Sequence, residues 1–144
     1  NVLSILELQP PDFDEPVARL FVDGLDLIDL VRTVELPFAT AEGSPNIAGG
    51  YQGLPWSEVV HPSSVLLGGP NRYVGASNLV PLLTCAGCAE FGCWPLIADL
   101  TVTHETITWS GFRQPHRPSW QYDHLGPFIF RATEYRAALS APVA

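Results

Sequence analysis

All three cysteines of this chain lie within nine residues, in the segment TCAGCAEFGCWPL. Cys85 and Cys88 have the spacing of half a zinc knuckle, and Cys93 follows with four residues between. A tight glycine turn brings such thiolates together, so zinc is the cofactor that this pattern suggests. The chain has no fourth cysteine, and a closed site would need one of three histidines as its last ligand: His104, His116 or His124.

Two other interpretations of the cysteine segment remain open. A Cys-x-x-Cys redox pair normally opens a helix within a βαβ unit, and no βαβ pattern appears in this sequence. Alternatively, the segment is a tight glycine-bearing turn between two buried strands, with cysteine used as a small apolar residue. We favour this third interpretation because the metal site lacks an evident fourth ligand.

A second segment, WSGFRQPHRPSWQYDHLGPF at positions 109–128, combines basic and aromatic residues. Arginine offers a planar fork of donors for carboxylate or phosphate, and aromatic faces stack on rings or on guanidinium groups. Histidines here are candidate general bases near neutral pH. The candidate ligand-binding or partner-binding residues are Arg113, His116, Arg117, Trp120, Tyr122 and His124. Alternatively, these side chains cover the sheet and pair with acidic residues of the N-terminal half.

Periodicity predicts a β-hairpin first, from LSILELQ and VARLFVDG, and then a helix that follows Asp23-Gly24 and ends at Pro37. A long irregular loop is expected over residues 38–63. SVLLGG and NLVPLLTC suggest buried strands, and WPLIADLTVT with ETITWSGF suggests a second hairpin. GPFIF suggests a last strand, and Thr133 is the expected N-cap of a helix over EYRAALSA. The prediction is one α+β domain over 1–144, mostly antiparallel sheet with two short helices.

The composition narrows the classes of partner. The 144 residues carry a net charge of −8 and no lysine, which excludes Walker-A and Schiff-base lysine chemistry. Ten acidic residues and two arginines lie in positions 1–60, whereas positions 61–144 are balanced. An acidic chain repels phosphate backbones and anionic lipid, so neither nucleic acid nor a membrane is expected as partner. The odd number of cysteines favours a cytoplasmic setting with reduced thiols.

The motifs GCWPL, QPHR, WQYDHLGPF and Y-x-AAL carry a resemblance to a family. The chain resembles a family of uncharacterised small bacterial proteins, mostly actinobacterial, over roughly its last 65 residues. That family has Cys-x-Cys-Gly at the turn, whereas this chain has Cys85-Ala-Gly-Cys88. The resemblance implies no reaction and no catalytic residue.

Two functional hypotheses follow from the sequence. The first is a cytoplasmic, non-enzymatic protein-binding module that uses the 113–124 stretch, the cysteine turn and the 38–63 loop, with another protein or a second copy as partner. The second is a small zinc-dependent enzyme, or a binder of a small anionic ligand, built from the cysteine turn and the QPHR stretch.

Overall fold

The computed structural model describes residues 1–60, 63–69, 78–87 and 93–140, and within them the chain forms two antiparallel sheets and two α-helices. The strands are β1 (Leu3–Leu8), β2 (Val17–Val22), β3 (Leu25–Asp26), β4 (Tyr51–Gln52), β5 (Leu54–Pro55), β6 (Leu79–Cys85), β7 (Leu96–Val102), β8 (Thr106–Arg113) and β9 (Phe128–Arg131). The helices are α1 (Leu27–Ala41) and α2 (Ala132–Ser140), with short 3₁₀ segments at Pro45–Ile47, Trp56–Glu58 and Val65–Leu67. The predicted α+β class, a single small domain that is mostly sheet, is confirmed.

The first sheet is built on the predicted N-terminal hairpin of β1 and β2. The pairing runs from Leu3 opposite Val22 to Leu8 opposite Val17. Strands β3 and β5 both pair with β2, at its two ends. Alternate residues of the hairpin, such as Leu3 and Ile5, are buried, as expected for strands with one face on the core.

The second sheet has the order β4-β6-β7-β8-β9. The predicted hairpin of β7 and β8 is confirmed, and its turn is closed by the Thr103 amide, which donates to the Thr106 carbonyl. The register shifts between Ile97 and Asp99, close to Gly111, whose φ of +60° suits glycine.

Between β4 and β5 the chain passes from the second sheet to the first within one residue, Gly53. Strand β4 ends at Gln52 in the second sheet, and β5 begins at Leu54 in the first. The Thr84 hydroxyl donates to the Gly53 carbonyl at 2.9 Å and fixes the crossing to β6. Part of the segment predicted as a long irregular loop, residues 38–63, therefore has regular structure, whereas residues 61 and 62 lie outside the described part.

Helix α1 begins at Leu27, later than predicted, because Leu25 and Asp26 after the Asp23-Gly24 turn form β3, and it also ends later than predicted. The Asp26 side chain accepts from the Ile28 amide at 2.9 Å and caps the helix. The prediction that the helix ends at Pro37 is wrong, because α1 continues to Ala41. Pro37 lies on the exposed face, and the residues that follow it pack on the core, with Ala39 fully buried. This burial offsets the cost of the missing amide donor, which is about 3 kcal/mol for an interior proline.

Two further boundary predictions are corrected. SVLLGG was expected to form a strand, but Val65–Leu67 is a 3₁₀ turn, since a short apolar run does not distinguish the two by periodicity. Thr133 lies inside α2 rather than at its N-cap. The helix follows β9 directly, and the first amide, of Ala132, donates to the Glu105 carbonyl in the β7–β8 turn. A backbone carbonyl therefore replaces the side-chain cap.

A continuous cluster of buried side chains joins both sheets and both helices. Its largest fully buried members include Trp109 on β8, Phe130 on β9 and Tyr135 on α2. Within the described ranges, no helix has the length and apolar character needed to cross a membrane.

Replacing Tyr135 by phenylalanine is expected to lower the free energy of unfolding by about 2 kcal/mol. The Tyr135 hydroxyl donates to the Leu66 carbonyl at 2.6 Å and accepts from the Trp109 indole at 3.1 Å, so both groups would lose a buried partner. Urea denaturation measures the loss. In a Trp109→Phe background the same change should cost less, because no indole N–H remains to be left unpaired. Equal losses in the two backgrounds would contradict this account.

Candidate functional site

A carboxylate lies on the apolar face of α1, where the helix packs on the core. Glu35 follows Val31 by four residues and precedes Ala39 by four, so helical geometry places it in line with these buried side chains. Its exposed fraction is 0 %. A buried carboxylate needs hydrogen-bond donors, because transfer from water to the interior is costly for a charged group.

Three donors meet the Glu35 carboxylate. The hydroxyls of Tyr51 and Tyr122 each donate to Oε2 at 2.5 Å, and the Gly49 amide donates to Oε1 at 2.9 Å. Gly49 has a φ of +66°, and a Cβ there would lie 2.6 Å from the Cβ of Arg32. Glycine is therefore required at this position for the close approach of the backbone to α1.

The electrostatics of this group keep the tyrosines protonated. Burial raises the pKa of Glu35, and the hydrogen bonds from Tyr122, Tyr51 and Gly49 oppose that rise. Burial, together with the neighbouring Glu35 carboxylate, raises the pKa of both Tyr51 and Tyr122 far above the usual tyrosine range. Both hydroxyls therefore remain donors at neutral pH.

Gln114, in the QPHR stretch, connects this buried group to the segment that follows the cysteines. Its exposed fraction is 0 %, and its amide nitrogen donates to the Tyr51 hydroxyl at 3.1 Å and to the Pro95 carbonyl at 3.0 Å. Its amide oxygen accepts from the backbone of His116 at 3.0 Å. The QPHR stretch thus folds back onto the chain just after Cys93.

Next to this buried network, five residues form a group that reaches the surface. We name this group the aromatic–arginine cluster: Trp94, His116, Arg117, Trp120 and Glu42. The rings of Trp94 and His116 are stacked, with centroids 5.7 Å apart and planes 5° apart. The two indoles meet edge to face at 6.3 Å and 80°. The Arg117 guanidinium lies 5.1 Å from the Trp94 centroid and 6.0 Å from that of Trp120. This is a cation–π arrangement on two rings.

Glu42 joins this cluster to the end of α1. One carboxylate oxygen accepts from the Trp120 indole at 3.0 Å, and the other accepts from Arg117 Nε at 3.1 Å. Glu42 is the residue that follows the last helical residue of α1. The cluster therefore brings together α1, the residue after Cys93 and the QPHR stretch.

The residues predicted in the 113–124 stretch occupy different environments. His116 and Arg117 contribute to the surface of the cluster, whereas Trp120 and Tyr122 are nearly buried, at 5 % and 6 % exposed. Arg113 lies apart and pairs with Asp99 at 3.2 Å. His124 is exposed beside a groove of about 390 Å³ along α1.

The cysteine segment is only partly within the described residues. Cys85 ends β6 and is half-buried, Cys93 is exposed, and Cys88 lies outside the described ranges. Among residues 1–60, 63–69, 78–87 and 93–140, no group of three or more His, Cys, Asp or Glu side chains is arranged to hold a metal ion. Zinc at Cys85, Cys88 and Cys93 stays a prediction.

The predicted site residues did not include six members of this site: Glu35, Glu42, Gly49, Tyr51, Trp94 and Gln114. Glu35 had a detectable signal, because it stands at helical spacing among apolar residues of α1. The other five are brought together by contacts between separate segments of the chain, for which local sequence carries no periodic pattern.

Comparisons with models of protein families, with curated proteins and with solved structures found no match to this chain.

Proposed function

We propose that this protein is a non-enzymatic, cytoplasmic binding module whose partner is another protein or a second copy of the chain. The observation that carries the proposal is the aromatic–arginine cluster, in which Trp94, His116 and Arg117 are stacked at the surface. Tryptophan is among the side chains that most often dominate the energy of protein–protein interfaces. Their position beside the exposed Cys93 fits an interaction surface that includes the cysteine turn.

The rigidity of the cluster supports a binding role. Gln114 forms two hydrogen bonds with the backbone of Pro95 and His116 and a third with the Tyr51 hydroxyl, and Glu42 accepts a hydrogen bond from the Trp120 indole. A surface that is already ordered loses less conformational entropy when a partner binds. Exposed prolines at positions 115 and 118 further restrict the backbone around His116 and Arg117.

Two observations weigh against the alternative functions. Arg113 and Arg117, the cations expected to bind a small anion, each already pair with a carboxylate, Asp99 and Glu42. Glu35, the carboxylate with a raised pKa, is enclosed by three donors of the protein itself, an arrangement typical of structural support.

The acidic net charge argues against nucleic acid and anionic membranes as partners. The odd number of cysteines supports a cytoplasmic location.

The test is quantitative affinity capture from extract of the native cells, together with sedimentation of the purified protein. A specific partner, or self-association, is expected for the native chain and should be lost in Trp94→Ser and weakened in His116→Ala. Loss of the indole removes the largest anchor of the cluster and is expected to reduce binding at least tenfold, as is usual for an interface hot spot.

The matched control is Arg131→Ala, which removes an exposed charge at the opposite end of the second sheet. It should retain the partner. Circular dichroism confirms that each variant is folded, and the exposed His116 keeps the test valid if Trp94→Ser is unstable. A monomer that captures no protein in a Trp94-dependent or His116-dependent manner would refute the proposal.

A further inference from the structure

Three members of the aromatic–arginine cluster form the walls of a cation site. The perpendicular indoles of Trp94 and Trp120 offer two aromatic surfaces, and Glu42 supplies a carboxylate beside them. Two aromatic rings and a carboxylate are the groups that recognise an organic cation by cation–π attraction and charge. We name Trp94, Trp120 and Glu42 the indole–carboxylate site.

The occupant of this site in the structure is the chain's own Arg117. Its guanidinium lies near both indoles, and its Nε donates to Glu42 Oε2. The pairing with Glu42 uses one donor rather than the two parallel bonds of a fork-to-fork pair, and the second Glu42 oxygen is bound to Trp120. The side chains of Arg117 and Glu42 are 37 % and 35 % exposed, so solvent screens their attraction.

These observations indicate that the guanidinium of another arginine could replace that of Arg117 in the site. The site has the chemistry for a guanidinium, and the guanidinium now in it is held by one exposed ion pair, one backbone contact to His116 and ring contacts. An arginine of a partner that donates two parallel bonds to Glu42 would form the stronger pair. The excess of acidic residues in positions 1–60, where Glu42 lies, would also attract a cationic segment.

We infer that the indole–carboxylate site recognises an arginine side chain on a partner protein, and that Arg117 is an internal placeholder which the incoming arginine replaces. This inference rests on the proposed protein-binding function and adds the chemistry of the partner to it. An internal competitor lowers the apparent affinity for the external ligand, because only the fraction of molecules with an open site can bind.

The test uses the blocked tripeptide acetyl-Gly-Arg-Gly-amide, titrated into the intact protein by calorimetry and by tryptophan fluorescence. The Arg117→Ala variant is expected to bind it with at least a tenfold lower Kd than the native chain, because the placeholder is gone. The same tripeptide with citrulline, which keeps the shape but lacks the charge, should not bind. Glu42→Gln in the Arg117→Ala background should abolish binding.

Three results would overturn the inference: no binding of the arginine tripeptide to Arg117→Ala, equal binding of the citrulline tripeptide, or equal affinity in the native chain and the variant. Arg117→Gln, which keeps part of the aliphatic stem, is measured in parallel so that local collapse around an alanine does not mimic a negative result. Failure of these titrations while Trp94-dependent capture persists removes the inference alone. If the native chain is a monomer and shows neither Trp94-dependent nor His116-dependent capture, the proposed function itself is refuted.

Discussion

Replacement of Glu35 by alanine is expected to lower the free energy of unfolding by about 4 kcal/mol, the range found when one partner of a buried polar group is deleted. The change leaves the hydroxyls of Tyr51 and Tyr122 and the Gly49 amide without their acceptor, and it opens a cavity under α1. Denaturation in urea, followed by circular dichroism, measures the difference. A loss below about 1 kcal/mol would show that these donors find other partners.

The control for this prediction is Glu35→Gln, which keeps the shape and removes the charge. Burial raises the pKa of Glu35 above its ordinary value of 4.5, so between that value and the raised pKa the folded state binds more protons than the unfolded state. Stability contributed by Glu35 therefore falls as pH rises through the raised pKa and returns as pH falls. Relative to Glu35→Gln, the native chain should gain stability as the pH is lowered from the raised pKa of Glu35 toward 4.5; an opposite slope would contradict the raised pKa.

Replacement of Gly53 by alanine is expected to cost about 3 kcal/mol, at the upper end of the penalties for overpacking. A Cβ at position 53 would lie 2.3 Å from the Ala18 carbonyl oxygen and 2.8 Å from its carbon. These are backbone atoms of β2, so no rotamer change relieves the contact. The strand pairing of β5 with β2 must shift instead, and urea denaturation will report the loss.

Gly43→Ala is the matched control for this variant. Gly43 has a φ of +81° and no neighbouring atom within 4 Å of an added Cβ, so alanine there introduces backbone strain alone, about 1 kcal/mol. The Gly53 variant should be clearly the less stable of the two. If the losses were equal, the narrow crossing between the sheets would not be rigid.

The fold was predictable where elements follow local patterns. The two hairpins β1–β2 and β7–β8 alternate apolar and polar residues, and the helical spacing of apolar residues after Asp23-Gly24 indicates α1. The end of α1 was not predictable. Pro37 lowers the stability of the helix, but the residues that follow it pack on the core and offset this loss. The crossing at Gly53 was also hidden, since strands of two residues leave no periodic signal.

The sequence indicated which residue types form the candidate site, but it did not indicate how their side chains are arranged. The basic and aromatic residues of positions 113–124 marked the region, but Arg113 pairs with Asp99 on β7, and Tyr122 turns inward to Glu35. These outcomes depend on contacts between segments far apart in sequence. Trp94 contacts His116 and Trp120, and the carbonyl of the next residue, Pro95, accepts a hydrogen bond from Gln114.

The position of Glu42 at the end of α1 has a consequence for selectivity. The aligned peptide dipoles of a helix place partial negative charge at its C-terminus, and α1 has no basic residue in its last turn. Glu42 adds a carboxylate to that negative end, and Arg117, 75 residues away in sequence, supplies the compensating charge. A neutral ligand that displaced Arg117 would leave the dipole and the carboxylate uncompensated. The helix end itself would therefore favour a cationic side chain in the proposed indole–carboxylate site.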